Sequence, residues 1–356
     1  MLSVLVTGAA GLIGGEVCAR LAARGAAVTA MVRRSREVRG NDGAPVAGIE
    51  QVSGDVTQPL MGLEPRRFDL VIHCAAGLEF DAPREVLAAV NVEGTRNAAA
   101  FAKAAGARLV HVSTAYVCGT REGAIAEGPV PAGTRFTNNY EASKALAEQV
   151  VAESGVPFAI ARPSVVLGDS ATGAIREFPS FANAFRLLAR GKISTFPARQ
   201  GATIDFVPIC HVAEGIVRLA ERFEQAHGGH FHLVADTPLP AAELAHGIAR
   251  VPHLPDPVVV EPEVLDMASL RPAERLLMGH LLDTFGPYFT RNPRFDDRRF
   301  RQVTGLACGR TDNSWLDRLI GHAIDVGFLP LAPVSARPGN AVPAARECRA
   351  PIASRP

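Results

Sequence analysis

One pattern restricts this chain more than any other. Short, near-continuous apolar runs alternate with stretches of helical periodicity. The runs SVLVT (3–7), AVTAMV (27–32), IEQVSG (49–54), LVIHCAA (70–76), RLVHVST (108–114) and FAIARPSVV (158–166) read as buried strands. Parallel strands covered on both faces have this character. Between them, GLIGGEVCARLAARG, REVLAAVNVEGTRNAAAFAKAAG and YEASKALAEQVVAESG read as helices that stop at glycine. Alternating strand and helix predicts an α/β fold, a doubly wound parallel sheet of the Rossmann type.

Beyond about residue 170 the pattern loosens. A helix is expected near 174–190, a strand near 203–207, a helix over HVAEGIVRLAERFEQA, a strand at HFHLVA, and a mainly helical region to about 328. Pro-rich RVPHLPDPVVVEP reads as a loop within that region. The end, from 331 to 356, is rich in Pro, Ala and Arg without periodicity and is expected to be a disordered tail. The expected division is a nucleotide-binding part at 1–170, joined by the strand and helix near 203–234, and a smaller, mainly helical substrate-binding region at 171–330. With 356 residues the chain is long enough to bury a sizeable core.

VTGAAGLIGG follows the first strand directly and opens the first helix. Gly8 suits the tight turn, Gly11 lets the backbone approach a pyrophosphate, and Gly14 lets helix and strand pack closely. The helix N-terminus then offers unpaired N–H groups to an anion. Thr7, Leu12 and Ile13 frame these glycines. A glycine triplet is weak by itself, but strand–loop–helix context makes it a dinucleotide signature. The second strand ends AMVRRS. An acid there would hold the ribose 2′-hydroxyl of NAD. Arg33 and Arg34 stand in that place and suit a 2′-phosphate, so the expected cofactor is NADPH (NADP).

Tyr140 and Lys144 lie one helical turn apart, so their side chains share a face. In isolation such a pair is an ordinary surface feature. Here its helix follows the fifth strand, which ends at Ser113 and Thr114. Hydride addition to a carbonyl leaves negative charge on oxygen. A tyrosine can donate the proton, a neighbouring ammonium favours its phenolate, and a hydroxyl donor steadies the oxyanion. Tyr140 and Lys144, with a hydroxyl from Ser113 or Thr114, are therefore candidate catalytic residues.

The spacing G-x-x-G-x-x-G, with Tyr-x-x-x-Lys after STAYVCG, resembles the extended short-chain dehydrogenase/reductases. The phrases GDVTQPLMGL, DLVIHCAAGLEFDAP, NVEGTRNAAAFA, YEASKALAE, RPSVVLGDSATG and IDFVPICHVAEGI resemble one branch of them, over roughly residues 3–230. That branch holds the fatty acyl-CoA reductases and the thioester reductase domains of carboxylic acid reductases and peptide synthetases. The segment PYF…FDDRRFRQVTG resembles the C-terminal part of acyl-CoA reductases weakly.

The resemblance implies NADPH-driven reduction of an acyl thioester, bound to CoA or to a carrier protein, to an aldehyde and onward to an alcohol. It assigns Thr114 as the catalytic hydroxyl, Asp55 to the adenine, Ala75 and Ala76 to the cofactor ribose and Pro163 to the nicotinamide carboxamide, with Val56, Ser113 and Val165 as further cofactor-binding residues. Lys144 would bond the nicotinamide ribose, beside Tyr140. Competing classes are a carbonyl reductase, alcohol dehydrogenase or epimerase with an aldehyde, ketone, sterol-like or sugar substrate, and a non-catalytic NADP-binding regulator. The regulator would usually lack the Tyr/Lys pair.

Other features read more plainly. Lys+Arg 37 against Asp+Glu 36 argues against a nucleic-acid footprint. Cys18, Cys74 and Cys118 read as small buried hydrophobes, and the six cysteines form no Cys-x-x-Cys pair or metal knuckle. His230 and His232 alternate on a strand without an evident third ligand, so no metal is expected. Phe178, Phe181 and Phe185 recur at helical spacing and read as a core face, with an acyl tunnel as the alternative. No apolar run reaches a membrane span and no signal peptide is evident, so a cytoplasmic protein is expected. A homodimer is compatible with all of this.

Overall fold

Seven strands form one parallel sheet in the computed structural model, which describes residues 1–33, 37–80 and 82–332. The strands are β1 (Ser3–Thr7), β2 (Ala27–Val32), β3 (Glu50–Ser53), β4 (Leu70–His73), β5 (Arg108–Val112), β6 (Phe158–Pro163) and β7 (His230–Leu233). Their spatial order is β3-β2-β1-β4-β5-β6-β7, with every pairing parallel. The expected Rossmann-type sheet is therefore present. Its interior strands are buried along nearly their whole length, as their apolar composition requires. The order reverses between β1 and β4, the switch point where such sheets open a crevice beyond their carboxyl ends.

Helices cover both faces: α1 (Leu12–Ala23), α2, α3 (Asn139–Glu153) and α5 (Ile209–Glu221), with a short α4 (Asn183–Ala189) further along the chain. Helix α2 runs through Arg84–Leu87, a π-helical turn at Ala88–Glu93, and Gly94–Ala104. A single helical turn at Phe223–Ala226 follows α5, and further helices are α6 (Glu243–Ala249), α7 (Pro272–Thr290), α8 (Arg298–Thr304) and α9 (Asn313–Asp325). One large apolar cluster lies outside the sheet, built by Phe181, Phe185, Phe196, Phe285, Phe289 and Trp315 among others.

Several boundaries differ from expectation. The strand expected over 70–76 ends at His73, and the one over 108–114 ends at Val112, because the chain leaves the sheet there to line the crevice. The run 158–166 splits at Ser164 into β6 and a short strand Val165–Leu167, which pairs with Phe206–Pro208. The helix expected over 174–190 begins only at Asn183, after a 3₁₀ turn at Ser180–Ala182, because Pro179 resists helix continuation. Within the Pro-rich loop, Val258–Val260 forms a short strand against Thr195–Pro197.

Phe181 and Phe185 are core residues, whereas Phe178 is half-buried and stacks on Phe328 at 4.0 Å. Cys18 and Cys118 are buried and Cys74 is partly so. His230 and His232 are buried, and His232 Nδ1 lies 2.8 Å from the Asp296 carbonyl oxygen. Arg34, Cys348 and nearly all of the tail expected from 331 lie outside the described residues.

Candidate active site

The glycine loop sits at the carboxyl end of β1, beside the switch point. Gly8 has φ +64°, and a Cβ there would lie 2.6 Å from the Ala75 backbone nitrogen. At Gly14 a Cβ would come within 2.3 Å of the Gly8 carbonyl oxygen. Both positions are thus closed to any side chain. A Cβ on Gly11 would meet only its own loop, at 3.3 Å from the Gly8 oxygen, so the space above it is open to a ligand. Gly11 caps α1 without a side-chain hydrogen bond, and no acid stands in the first turn. The N–H groups of Leu12, Ile13 and Gly14 are left for an anion, which is the chemistry a dinucleotide diphosphate needs. Gly15 was not anticipated: its Cβ would meet the Arg39 carbonyl oxygen at 2.1 Å.

Thr7 anchors the floor of this loop. Its Oγ1 lies 2.8 Å from His73 Nδ1 and accepts from the Ala75 N–H at 3.3 Å. Ala75 and Ala76 follow β4 as a half-buried strip along the crevice. At the adenosine end, Arg33 is exposed directly after β2. Asp55 accepts from the N–H and hydroxyl of Thr57, at 2.9 and 2.8 Å. These bonds hold its carboxyl below the ordinary range, and the nearby Arg33 charge adds to them. Val56 is buried, and its carbonyl accepts from Asn97 at 2.8 Å. Pro163 ends β6 opposite Leu233, and Val165 pairs with Phe206 on the separate short ladder.

The candidate catalytic residues come from the segment just after β5 and from α3. Thr114 caps the 3₁₀ turn Ala115–Cys118, its Oγ1 accepting from the Tyr116 N–H at 3.2 Å. Ser113 Oγ is buried with no partner among the described residues. Helix α3 packs against the same 3₁₀ turn and is capped by Asn138, whose side chain accepts from the Glu141 N–H at 2.8 Å. Tyr140 stands half-buried in its first turn, its ring 5.2 Å from that of Phe80. One turn on, Lys144 is buried; its Nζ donates to the Val112 carbonyl at 2.8 Å and lies 3.4 Å from His111 Nε2.

Burial pulls the Lys144 ammonium down to about 8, against an opposing pull from the Glu148 carboxylate. Burial, and then the Lys144 charge, hold His73 and His111, whose rings stack at 5.4 Å, well below the ordinary imidazole range. Tyr140 differs from expectation. Burial and then the adjacent Glu141 push its phenol above the ordinary value, so the protein by itself holds Tyr140 as a neutral proton donor.

Two further arrangements around the site were not foreseen. Asn91 lies fully buried in the π-helical turn of α2; it accepts from the Gly77 N–H at 2.8 Å and donates to Ser143 Oγ at 2.9 Å. Ser143 in turn donates to the Tyr140 carbonyl at 2.8 Å. The segment NVEGT held the signal, but its π geometry is invisible in sequence. Secondly, Glu141 is fully buried and pairs with Arg291 at 2.7 Å, while the Tyr288 hydroxyl donates to the same carboxylate oxygen at 3.0 Å. Arg291 also donates to the Gly119 carbonyl and lies over the Tyr288 and Tyr116 rings, at 4.7 and 5.2 Å. The end of α7 is thereby locked to the first turn of α3.

The sequence profile of the male sterility protein family, a group of NAD-binding domains, matches residues 6–216. The chain belongs to that family. It is an extended short-chain dehydrogenase/reductase of the thioester reductase-like branch, a class of oxidoreductases that use a nicotinamide cofactor. Among solved structures similar to this male sterility family member is the terminal R domain from the myxalamid PKS-NRPS biosynthetic pathway. It superposes with TM-score 0.78 at 26% identity, covering 94% of this chain and 93% of that one. A linear gramicidin synthase of Brevibacillus parabrevis is 30% identical over 263 residues, 65% of this chain but 5% of the synthase. The 2-alkyl-3-oxoalkanoate reductase of Shewanella oneidensis is 28% identical over 296 residues, 76% of this chain and 72% of that protein. No helix among the described residues is long and apolar enough to cross a membrane.

Proposed function

We propose that the chain is an NADPH-dependent reductase of acyl thioesters, carried on CoA or a carrier protein, with Thr114, Tyr140 and Lys144 as its catalytic residues. The observation that carries the substrate class is the likeness to a terminal R domain over 94% of the chain. The closed cradle at Gly8 and Gly14, with free N–H groups above it, fits a dinucleotide. Gly8, Gly11, Leu12, Ile13 and Gly14 would hold the diphosphate, Arg33 the 2′-phosphate, Asp55 and Val56 the adenine, and Thr7, Ala75, Ala76 and Ser113 the inner ribose. Pro163 and Val165 would meet the carboxamide. Residues 1–170 with the later β7 and α5 form the cofactor half, and 171–330 shape the acyl pocket.

The bound nicotinamide supplies a hydride to the thioester carbonyl carbon. Tyr140 gives its proton to the oxygen, and Thr114, whose hydroxyl hydrogen is free to point outward, steadies the charge that develops there. Lys144 orients the ribose and supplies positive charge beside the phenol. The resulting hemithioacetal expels thiol and leaves an aldehyde. Phe80, Phe181, Phe285 and Tyr288 cluster edge-to-face next to Tyr140 and supply an apolar wall for an acyl chain.

A second reading has one specific support. The Shewanella oneidensis relative, matched over 72% of its length, is named for reduction of a 3-oxoalkanoate. A ketone reductase would use the same triad with a different pocket.

One experiment tests both. NADPH absorbance is followed with acyl-CoAs, the matching aldehydes and 3-oxo acids, with free thiol measured in parallel. Thiol release in step with NADPH loss is the expected result. Turnover of ketones with no thioester response would overturn the substrate assignment. Tyr140→Phe should leave NADPH binding intact and lower turnover by about 100-fold or more.

A further inference from the structure

The turn that follows the short strand Val165–Leu167 comes back over the glycine loop, and among the described residues its arginine has no charge partner. The turn is tightly packed. A Cβ on Gly168 would lie 2.1 Å from the Gly173 oxygen, and one on Gly173, at φ +72°, would lie 2.5 Å from the backbone of Arg318 and Leu319 in α9. Asn41 fastens the turn to α1. Its side chain accepts from the Arg176 N–H at 3.1 Å and donates to the Ala174 carbonyl at 3.0 Å, while its own N–H donates to Glu16 at 2.8 Å. The backbone of Arg176 is therefore placed independently of what its side chain binds.

That side chain reaches the glycine loop from outside the nucleotide-binding half. Its Nη2 makes only a long bond, 3.4 Å, to the carbonyl of Ala10, the residue just before Gly11. Its Nε is buried with no hydrogen-bond partner among the described residues. Among the described residues no carboxylate forms a salt bridge with it, and Glu16, the nearest acid along α1, is already bonded to Arg20 and Asn41. A planar guanidinium with an orphaned buried donor is expensive to leave unpaired, and its fork matches two oxygens of a phosphate. The loop it faces presents unpaired N–H groups and no acid.

We propose that Arg176 is a phosphate-binding residue of the dinucleotide site, brought by the 168–176 turn to the edge of the glycine loop. This rests on the cofactor part of the proposed function and is independent of its substrate part. The phosphate is either the diphosphate or the 2′-phosphate of the cofactor, which offer the same chemistry.

The test is calorimetric titration of the full chain, with no substrate present, using NADPH, ADP-ribose and 2′,5′-ADP. ADP-ribose carries the diphosphate without a 2′-phosphate, and 2′,5′-ADP carries the 2′-phosphate without the diphosphate. Arg176→Gln should weaken NADPH by about 10-fold or more, the scale of a lost charge-assisted pair. Its ligand-free melting temperature should match wild type, since Asn41 holds the turn through the backbone. Weakening that extends to ADP-ribose assigns the diphosphate; weakening confined to NADPH and 2′,5′-ADP assigns the 2′-phosphate. Arg176→Lys keeps the charge and loses the fork, and should fall between wild type and Arg176→Gln. It decides the matter if Arg176→Gln does not fold. Wild-type affinity for all three ligands in a folded variant overturns the proposal. A chain that binds NADPH in this way yet ignores thioesters would refute only the substrate assignment.

Discussion

Lys144 is a cation kept out of water, and the direction of its titration follows from that. Its value in the folded chain, about 8, lies below the ordinary 10.5, so the unfolded chain takes up the proton more readily between those limits. Lys144 therefore weighs against the native state below pH 8, and this penalty fades as pH rises toward 10.5. Lys144→Met should lower turnover by about 100-fold or more while leaving the protein at least as stable at pH 7. Denaturant titrations at several pH values check this: the variant's advantage should narrow between pH 8 and 10.5, and a variant less stable than wild type at pH 7 would contradict it. This residue was legible in sequence because only its spacing from Tyr140 was needed. Its depressed basicity was not, because that comes from burial away from water, which only the folded chain supplies.

At the scale of elements, α3 and α7 are joined through one buried ion pair. Glu141 sits beside Tyr140, and Arg291 follows the end of α7. Removing one partner leaves a buried charge unpaired, which costs about 3–5 kcal/mol. Arg291→Met should lose stability on that scale, and Arg291→Met with Glu141→Gln should recover a good part of it. Paired denaturation curves of the single and double variants measure this; an equal loss in both would mean that the pair does not act as a unit. No sequence pattern could show it, since the partners are 150 residues apart in the chain. The strands β1, β2 and β5 were legible because burial on both faces demands continuous apolar runs. The late start of α4 was not, because helical periodicity in IREFPSFANAF persists through Pro179 although the backbone there turns away from a helix.

At the scale of the molecule, among its described residues, buried imidazoles outnumber raised carboxyls. Burial holds His73 and His232 down to about 3, His211 and His230 to about 4, and His111 well below its usual range. Burial instead lifts Glu127 and Asp205 to about 7. Each such histidine is neutral when folded and charges near pH 6.5 when unfolded, so it removes stability as pH falls from about 6.5 toward 4. The two carboxyls act in the opposite sense, adding stability as pH falls through 7. Five groups against two leave a net loss on acidification, at most about 1.4 kcal/mol per pH unit for each unbalanced histidine. Melting temperatures from pH 7 to 5 should fall; a rise would show that the carboxyls dominate. The order of the sheet has another outcome, for the history of the chain rather than its balance. β6 is made early, but the strand that covers its outer edge is β7, at His230–Leu233. On the ribosome that edge stays uncovered until residues 171–229 have also emerged, and an open edge is a template for any passing strand. The two halves are stitched together rather than strung in series. A pocket borrowed from a relative by crossing over near residue 170 would arrive with a foreign β7, and would have to fit the host's sheet before it could meet a substrate.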